Sequence, residues 1–232
     1  MKRLYIFATV LVLSCLSVSA QQLFLEYDLG HGSYNMSGLK DWFSAQNPSL
    51  SIKNIKTTDN FPGYMTHSAK IGMTFGRFHR AGLLIDYMNT AGKKGVADYS
   101  ADYKMTFRVK GLRTGVFYRF SSFDLNNEVF APYLQLSAGT VFNHGKYSEG
   151  IKLTEQGSDS KSQSLGGVNL FVEPALGFRI RLTCNFSLNA NIGYEYDITK
   201  RFSVEGQKAA ISPDWSGLRL QGGLVYYIPL KK

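Results

Sequence analysis

Between Asn185 and Ile198 the chain reads NFSLNANIGYEYDI, and its side chains alternate without a break. Phe186, Leu188, Ala190, Ile192, Tyr194, Tyr196 and Ile198 share one parity, while Asn185, Ser187, Asn189, Asn191, Gly193, Glu195 and Asp197 share the other. Successive side chains of a strand point to opposite faces, whereas a helix repeats about every 3.6 residues. The run therefore predicts a strand with one apolar face and one polar or acidic face. As a helix it would scatter both kinds of side chain around its circumference.

The same alternation returns along most of the chain. Leu218, Leu220, Leu224, Tyr226 and Ile228 oppose Arg219, Gln221, Gly223, Val225 and Tyr227. Val168, Leu170, Val172, Leu176, Phe178, Ile180 and Leu182 oppose Asn169, Glu173, Gly177, Arg179 and Arg181. Phe130, Leu134, Leu136, Ala138 and Phe142 form another apolar set, as do Ala69, Ile71, Met73 and Phe75, then Leu83, Ile85 and Tyr87, and Leu23, Leu25, Tyr27 and Leu29. In KMTFRVKGLRTGVFYRF the apolar parity changes, from Met105, Phe107 and Val109 to Leu112, Val116, Tyr118 and Phe120. An extra residue absorbed in a β-bulge near Lys110 and Gly111 is the expected cause, with the first apolar set facing outward.

These segments make about eight strands, most able to supply the roughly 9–11 residues a tilted membrane strand needs. The connections expected over residues 37–62, 92–103, 146–166 and 200–214 are long, and those near FHRAG, SSFDLNNE and RLTCN are short. Long and short in alternation is the pattern of a barrel whose two rims face different compartments. The expected fold is all-β, an eight-stranded antiparallel up-and-down transmembrane β-barrel. A soluble barrel also alternates, with its apolar face turned inward, so composition has to decide which face is wet.

The polar face carries Glu26, Asp28, Lys70, Asp86, Arg108, Arg113, Arg119, Glu173, Arg179, Arg181, Glu195, Asp197 and Arg219, interspersed with Gly72, Gly115, Gly139, Gly177, Gly193 and Gly223. Glycine weakens a strand, and a solvated outer surface has no use for it. The interior of an eight-stranded barrel is only wide enough to be filled by side chains, so glycine among charges of both signs predicts an interlocking ionic plug. On the apolar face, Phe75, Tyr118, Phe120, Phe130, Phe186 and Tyr226 gather toward one rim, and Phe142, Tyr194, Tyr196 and Trp215 toward the other, as two aromatic girdles at membrane interfaces.

The first twenty residues, MKRLYIFATVLVLSCLSVSA, have Lys2 and Arg3, an apolar run from Leu4 to Leu13, and the small residues Ser19 and Ala20 before Gln21. This is the layout of a secretory signal peptide. The expected organisation is a signal peptide over 1–20 and a barrel domain over 21–232. A lipidated Cys15 would require cleavage after a very short apolar region and ranks second. Loss of Lys2 and Arg3 takes the formal net charge from +9 to +7 and leaves Cys184 as the one thiol, so no internal disulfide is expected. No run of eighteen apolar residues follows, which rules out a transmembrane helix over residues 21–232 but not a membrane.

In this pattern the chain resembles the small outer-membrane β-barrel proteins of Gram-negative bacteria, the OmpA/OmpX-like and porin-family barrel domains. The likeness covers essentially all of residues 21–232. Its most specific local piece is QGGLVYYI, where Gln221, Gly223, Tyr226 and Ile228 are similar to the C-terminal signal read by the barrel-assembly machinery. The ending PLKK departs from the terminal aromatic common in that family. The resemblance implies an outer-membrane location in a Gram-negative bacterium, with lipid, lipopolysaccharide and the assembly machinery as partners.

No cofactor, metal or catalytic residue is expected, and nucleic acid is not a partner for an exported barrel. His67 and Ser68 are adjacent, and on a strand they would face opposite sides, out of reach of each other as base and nucleophile. His31, His79 and His144 fall at apparent rims or turns. Lys53, Lys56, Lys93, Lys94, Lys146, Lys152, Lys161, Lys200, Arg201 and Lys208 are expected at the outer rim, where phosphorylated lipid head groups lie. LKDWF, residues 39–43, places aromatics in the first long loop as a membrane or partner contact, and GSDSKSQSLGG reads as a mobile loop. The leading function is a non-enzymatic structural, adhesive or envelope-interaction role with a side-chain-filled interior. A narrow solute channel and a lipid-modifying enzyme are the alternatives.

Overall fold

The computed structural model describes residues 20–45, 56–97, 101–124, 128–153, 157–199, 202–204, 207–208 and 211–228. Residues 1–19, and with them nearly all of the expected signal peptide, lie outside the described residues, as do Lys53, Lys200 and Arg201. The elements in order are β1 (Ala20–Gly32), α1 (Ser37–Ala45), β2 (Lys56–Asn60), β3 (Tyr64–Phe75), β4 (His79–Ala97), β5 (Ala101–Phe120), β6 (Phe130–Leu153), β7 (Gly157–Arg181), β8 (Phe186–Asp197), β9 (Ser203–Val204), β10 (Gln207–Lys208) and β11 (Gly217–Ile228).

Eight of these strands, β1, β3 to β8 and β11, pair antiparallel into a ring. β11 lies between β8 and β1, with Leu218 opposite Tyr194 on one side and Leu25 opposite Tyr226 on the other. A closed ring leaves no unpaired sheet edge, which is what allows strands to sit in lipid. The β7–β8 ladder is interrupted between the pairs Val172/Tyr196 and Ala175/Gly193, at Pro174, which has no N–H to donate.

The outer wall presents Leu83, Ile85, Val116, Leu134, Leu136, Leu176, Ile192 and Leu220, all exposed. A continuous apolar surface of this extent marks a membrane contact. Phe186 and Tyr226 lie 5.0 Å apart by ring centres near the rim of short turns, with Phe130 and Phe178 at 5.8 Å, and Tyr194 and Tyr196 at 4.5 Å lie toward the other. Glycine serves the inner wall where a large neighbour lies flat on it. A Cβ on Gly72 would meet the Phe24 ring at 2.6 Å, and one on Gly177 would meet Tyr133 at 2.5 Å.

Two expected long loops are strands instead. β4 and β5 remain paired out to Ala97 and Asp102, and β6 and β7 out to Leu153 and Gly157. These four strands have 19, 20, 24 and 25 residues, against 12 for β3, β8 and β11. They rise as a high wall on one side of the outer rim. GSDSKSQSLGG is the first part of β7, with its backbone hydrogen-bonded in the ladder despite a loop-like composition.

The expected bulge is also absent. β5 pairs with both neighbours in unbroken register, Gly111 facing Met88 on one side and Asn143 on the other. Met105, Phe107 and Val109 therefore share the inner face with Arg113 and Arg119 and are buried. What changes at Gly111 is the surroundings and not the parity. Below it the lumen is ionic and the outside is lipid; above it the lumen is apolar and the outside is water.

Candidate functional site

The filled lumen is the feature most distinctive of this chain, and it is built in tiers. Nearest the rim of short turns, Tyr227 accepts from Arg80 at 2.8 Å and from Arg179 at 3.3 Å, and Arg80 lies 5.3 Å over the Phe24 ring. Beside them Arg119 donates to both carboxylate oxygens of Glu26, at 2.9 and 3.0 Å, and to Gln135. Lys70 bridges Glu26, at 2.8 Å, and Asp28. Arg119 also stacks 4.1 Å over Tyr133, the ring that covers Gly177.

The next tier centres on Arg113. It reaches Asp86 from β4 at 2.7 Å, Glu173 from β7 at 2.7 Å and Glu195 from β8 at 3.2 Å. Arg219 from β11 shares two of these acids, Glu195 at 2.8 Å and Glu173 at 3.4 Å. Five strands are thereby tied across the lumen, through side chains that are all buried. Among the described residues the buried charges are Lys70, Arg80, Lys94, Arg113, Arg119, Arg179 and Arg219 against Glu26, Asp28, Asp86, Glu173, Glu195, Asp197 and Asp214, seven of each sign. A buried charge without a counter-charge costs several kcal/mol, so this balance is a condition for the tiers to form.

Asp197 holds the loop before β11 in place by accepting from the Trp215 backbone N–H at 2.8 Å and the Asn169 amide at 3.0 Å. Above it the chemistry changes to an apolar cap. Leu39 and Phe43 of α1, with Phe61, Phe202 and Trp215, pack against Met105, Phe107 and Val109 of β5 and Leu165 of β7. Phe61 lies 5.6 Å from Phe43 and 5.9 Å from Phe107, both edge to face. α1 is amphipathic and short, and burying Leu39 and Phe43 against the high wall is what gives it a place to fold. At the top, Glu149 accepts from Tyr103 at 2.9 Å and Tyr147 at 2.8 Å. Burial and this carboxylate push both phenols above the usual tyrosine range.

Several expected positions are corrected by this arrangement. Arg108 is exposed on the outer face and takes no part in the lumen network. Arg181 shares the inner parity but is only half-buried, at the end of β7. Trp215 belongs to the cap and not to a girdle, and its indole N–H donates to Asn143 at 2.6 Å. The aromatics of LKDWF turn inward: Phe43 is buried and Trp42 lies 5.7 Å from Phe107. Lys94, expected at the rim, is buried beside Phe43 and donates to the Ser44 carbonyl at 2.9 Å. Tyr227 lies in the lumen as its parity predicts, while Arg80 is a lumen residue outside the expected polar face. Extending the alternation of Asp86 and Leu84 back through Gly82 reaches Arg80, within the stretch FHRAG that by composition predicts a short turn.

His67 and Ser68 lie on opposite faces, Ser68 buried in the lumen and His67 on the outer wall, 2.9 Å from the Tyr27 hydroxyl. No cluster of three or more His, Cys, Asp or Glu side chains suited to a metal occurs among the described residues. Gln221 is buried and Gly223 faces inward, where a Cβ would meet Asp28 at 2.2 Å, while Tyr226 faces outward on the same closing strand.

A closed antiparallel ring of eight strands, greasy outside and ionic inside, is the architecture of a small bacterial outer-membrane β-barrel. Comparison with solved structures agrees on the fold. The chain is similar to the outer membrane protein OprG from Pseudomonas aeruginosa, at 13% identity and a TM-score of 0.51 over 91% of this chain and 97% of that one. The N-terminal β-barrel domain of Pseudomonas aeruginosa OprF, at 10% identity over 90% and 100% of the two chains, has a TM-score of 0.39. Neisserial surface protein A, at 14% identity over 88% and 96%, has a TM-score of 0.37. No family model matches the chain. No curated protein matches its sequence.

Proposed function

We propose that the chain is a non-enzymatic outer-membrane β-barrel of a Gram-negative envelope, with a permanently filled interior, whose role is structural, adhesive or envelope-interacting. Residues 1–20 serve as its signal peptide and residues 21–232 as the barrel. Gln221, Gly223, Tyr226 and Ile228 of the closing strand form its assembly signal. The observation that carries this reading is the sequence of closures along the lumen, in which two ionic tiers are followed by an apolar cap. A solute channel needs a wet path, and a charge-balanced network buried on every side offers none. A hydrolytic site at His67 and Ser68 is disfavoured by the strand wall between them. With the interior committed to stability, the rim and outer wall are the surfaces left for partners.

Planar-bilayer recording on the full chain refolded from detergent tests the proposal. Little steady conductance is expected. Large, stable ion currents from the unmodified protein would overturn it in favour of a channel.

A further inference from the structure

On the outer face of the high wall, Arg108 and Lys110 of β5 lie directly opposite Lys146 and His144 of β6. Side chains in such pairs stand about 5 Å apart, and successive outward positions on one strand about 7 Å. Like charges directly opposite destabilise a sheet, yet here Arg108 faces Lys146, with Lys110 and His144 as the adjacent outward pair. All four residues are exposed, and none makes an ion pair among the described residues. Their flanking outward neighbours are neutral: Asn89 and Ala91 on β4, Ser164 and Gly166 on β7. The nearby Asp59 is already engaged by Lys93 at 2.7 Å. A depression of about 390 Å³ is lined by these four residues with Thr106 and Ser148, so its lining contains cations and hydroxyls and no acid.

The height of this depression selects its occupant. The next outward row toward the membrane is Tyr87, Leu112, Phe142 and Val168, all exposed apolar side chains. A ligand seated on the cations has an apolar wall running away beneath it. That suits an amphiphile with phosphate on its head and acyl chains below, and not a soluble polyanion, which would leave that wall unused. Guanidinium and ammonium groups bind phosphate through charge-assisted hydrogen bonds, Arg with two at once. Thr106 and Ser148 supply hydroxyls at the height of a sugar head group.

We infer that Arg108, Lys110, His144 and Lys146 form a docking site for the phosphorylated head group of lipopolysaccharide, holding its lipid A phosphates against the outer wall. The inference rests on the outer-membrane reading above. It gives the outward cations of β5 and β6 a use that the lumen network does not.

The test uses the full chain refolded into phosphatidylcholine vesicles, alone or with bisphosphorylated lipid A, dephosphorylated lipid A, or phosphatidylglycerol at equal surface charge. Folding is read by heat-modifiable gel migration, and lipid retention by native mass spectrometry. Bisphosphorylated lipid A is expected to raise the temperature at which the folded band is lost and to be retained, and the other two lipids are not. In the Arg108→Gln/Lys146→Gln variant lipid A binding is expected to fall about 30-fold, as about 1 kcal/mol per cation implies. Lys104→Gln/Lys152→Gln, on the same hairpin beyond the depression, keeps the wild-type response. Equal stabilisation by phosphatidylglycerol, or undiminished binding by the first variant, overturns the site while leaving the barrel reading intact. If the first variant does not fold, retention by the wild-type chain of phosphorylated over dephosphorylated lipid A decides the matter. Failure of the wild-type chain to give any heat-modifiable band in phosphatidylcholine overturns both readings.

Discussion

Arg108 and Arg113 are five residues apart on one strand, of the same type, and assigned to the same face by their local sequence. The structure separates them completely. Arg113 is buried among Asp86, Glu173 and Glu195, while Arg108 projects into water above the lipid. Removing Arg113 leaves the buried Asp86 without its cation and Glu173 and Glu195 with Arg219 alone, whereas removing Arg108 breaks no ion pair. Arg113→Ala is therefore expected to lower unfolding free energy by about 3–5 kcal/mol, and Arg108→Ala by no more than about 0.5 kcal/mol. Urea titration in phosphatidylcholine vesicles without lipid A, followed by gel migration, checks the contrast. Equal effects would mean that the tier around Arg113 is hydrated and contributes no more than a surface pair. The inward parity of Glu26, Asp28, Lys70, Glu173, Glu195 and Arg219 was legible because each sits between apolar residues that face lipid. Which of them pair was not, since partners come from β1, β3, β4, β5, β7, β8 and β11 and register across a lumen leaves no trace in any one strand.

At the scale of the element, β5 shows why alternation misleads at a boundary between solvents. Binary pattern reports which side is apolar, and a strand that leaves the bilayer exchanges the two environments without turning over. The change at Gly111 looks like a slip of one residue because a bulge and an inversion of surroundings produce the same letters. Only the neighbouring ladders, intact from Phe120 to Asp102 on both sides, distinguish them. The long hairpins were hidden for the same reason: the outward face of residues 160–167 is polar because it is wet, and a polar run rich in serine and glycine reads as a loop. The two possibilities make opposite predictions for chemical access. In a Cys15→Ser/Cys184→Ser background, single cysteine substitutions at Thr106, Arg108 and Lys110 are expected to react rapidly with a water-soluble maleimide added outside intact vesicles, and those at Met105, Phe107 and Val109 slowly. Reversed reactivity above Gly111 would restore the bulge and move Arg108 inward. The cap itself was out of reach of pattern reading, because Phe43 of α1 and Phe61, Phe202 and Trp215 of separate connecting segments share no periodicity.

The whole molecule divides its charge between a neutral interior and a positive exterior. Among the described residues seven buried charges of each sign cancel, so the formal net charge of +9 is carried by the rest of the chain. Such a chain cannot finish folding in water, because the side chains that would have to cover one another are those that end up facing lipid, from Leu25 on β1 to Leu224 on β11. It must reach its membrane unfolded, and the two signals we propose are suited to that route. In the function proposed above, Lys2, Arg3 and the apolar run that follows are assigned to export, and Tyr226 and Ile228, on the strand that closes the ring against Leu25 and Leu23, to assembly. The two steps should therefore fail independently. Expressed in a Gram-negative host, the full sequence is expected to yield outer-membrane protein whose mass begins at Gln21. Deleting residues 4–13 should leave an unprocessed, cytoplasmic aggregate. A Tyr226→Ala/Ile228→Ala variant should still be cut before Gln21 yet show a reduced folded band in the outer-membrane fraction. Mass spectrometry finding a diacylated Cys15 would replace the first signal with a lipoprotein one, and normal folding of the double variant would remove the assembly role from the last strand.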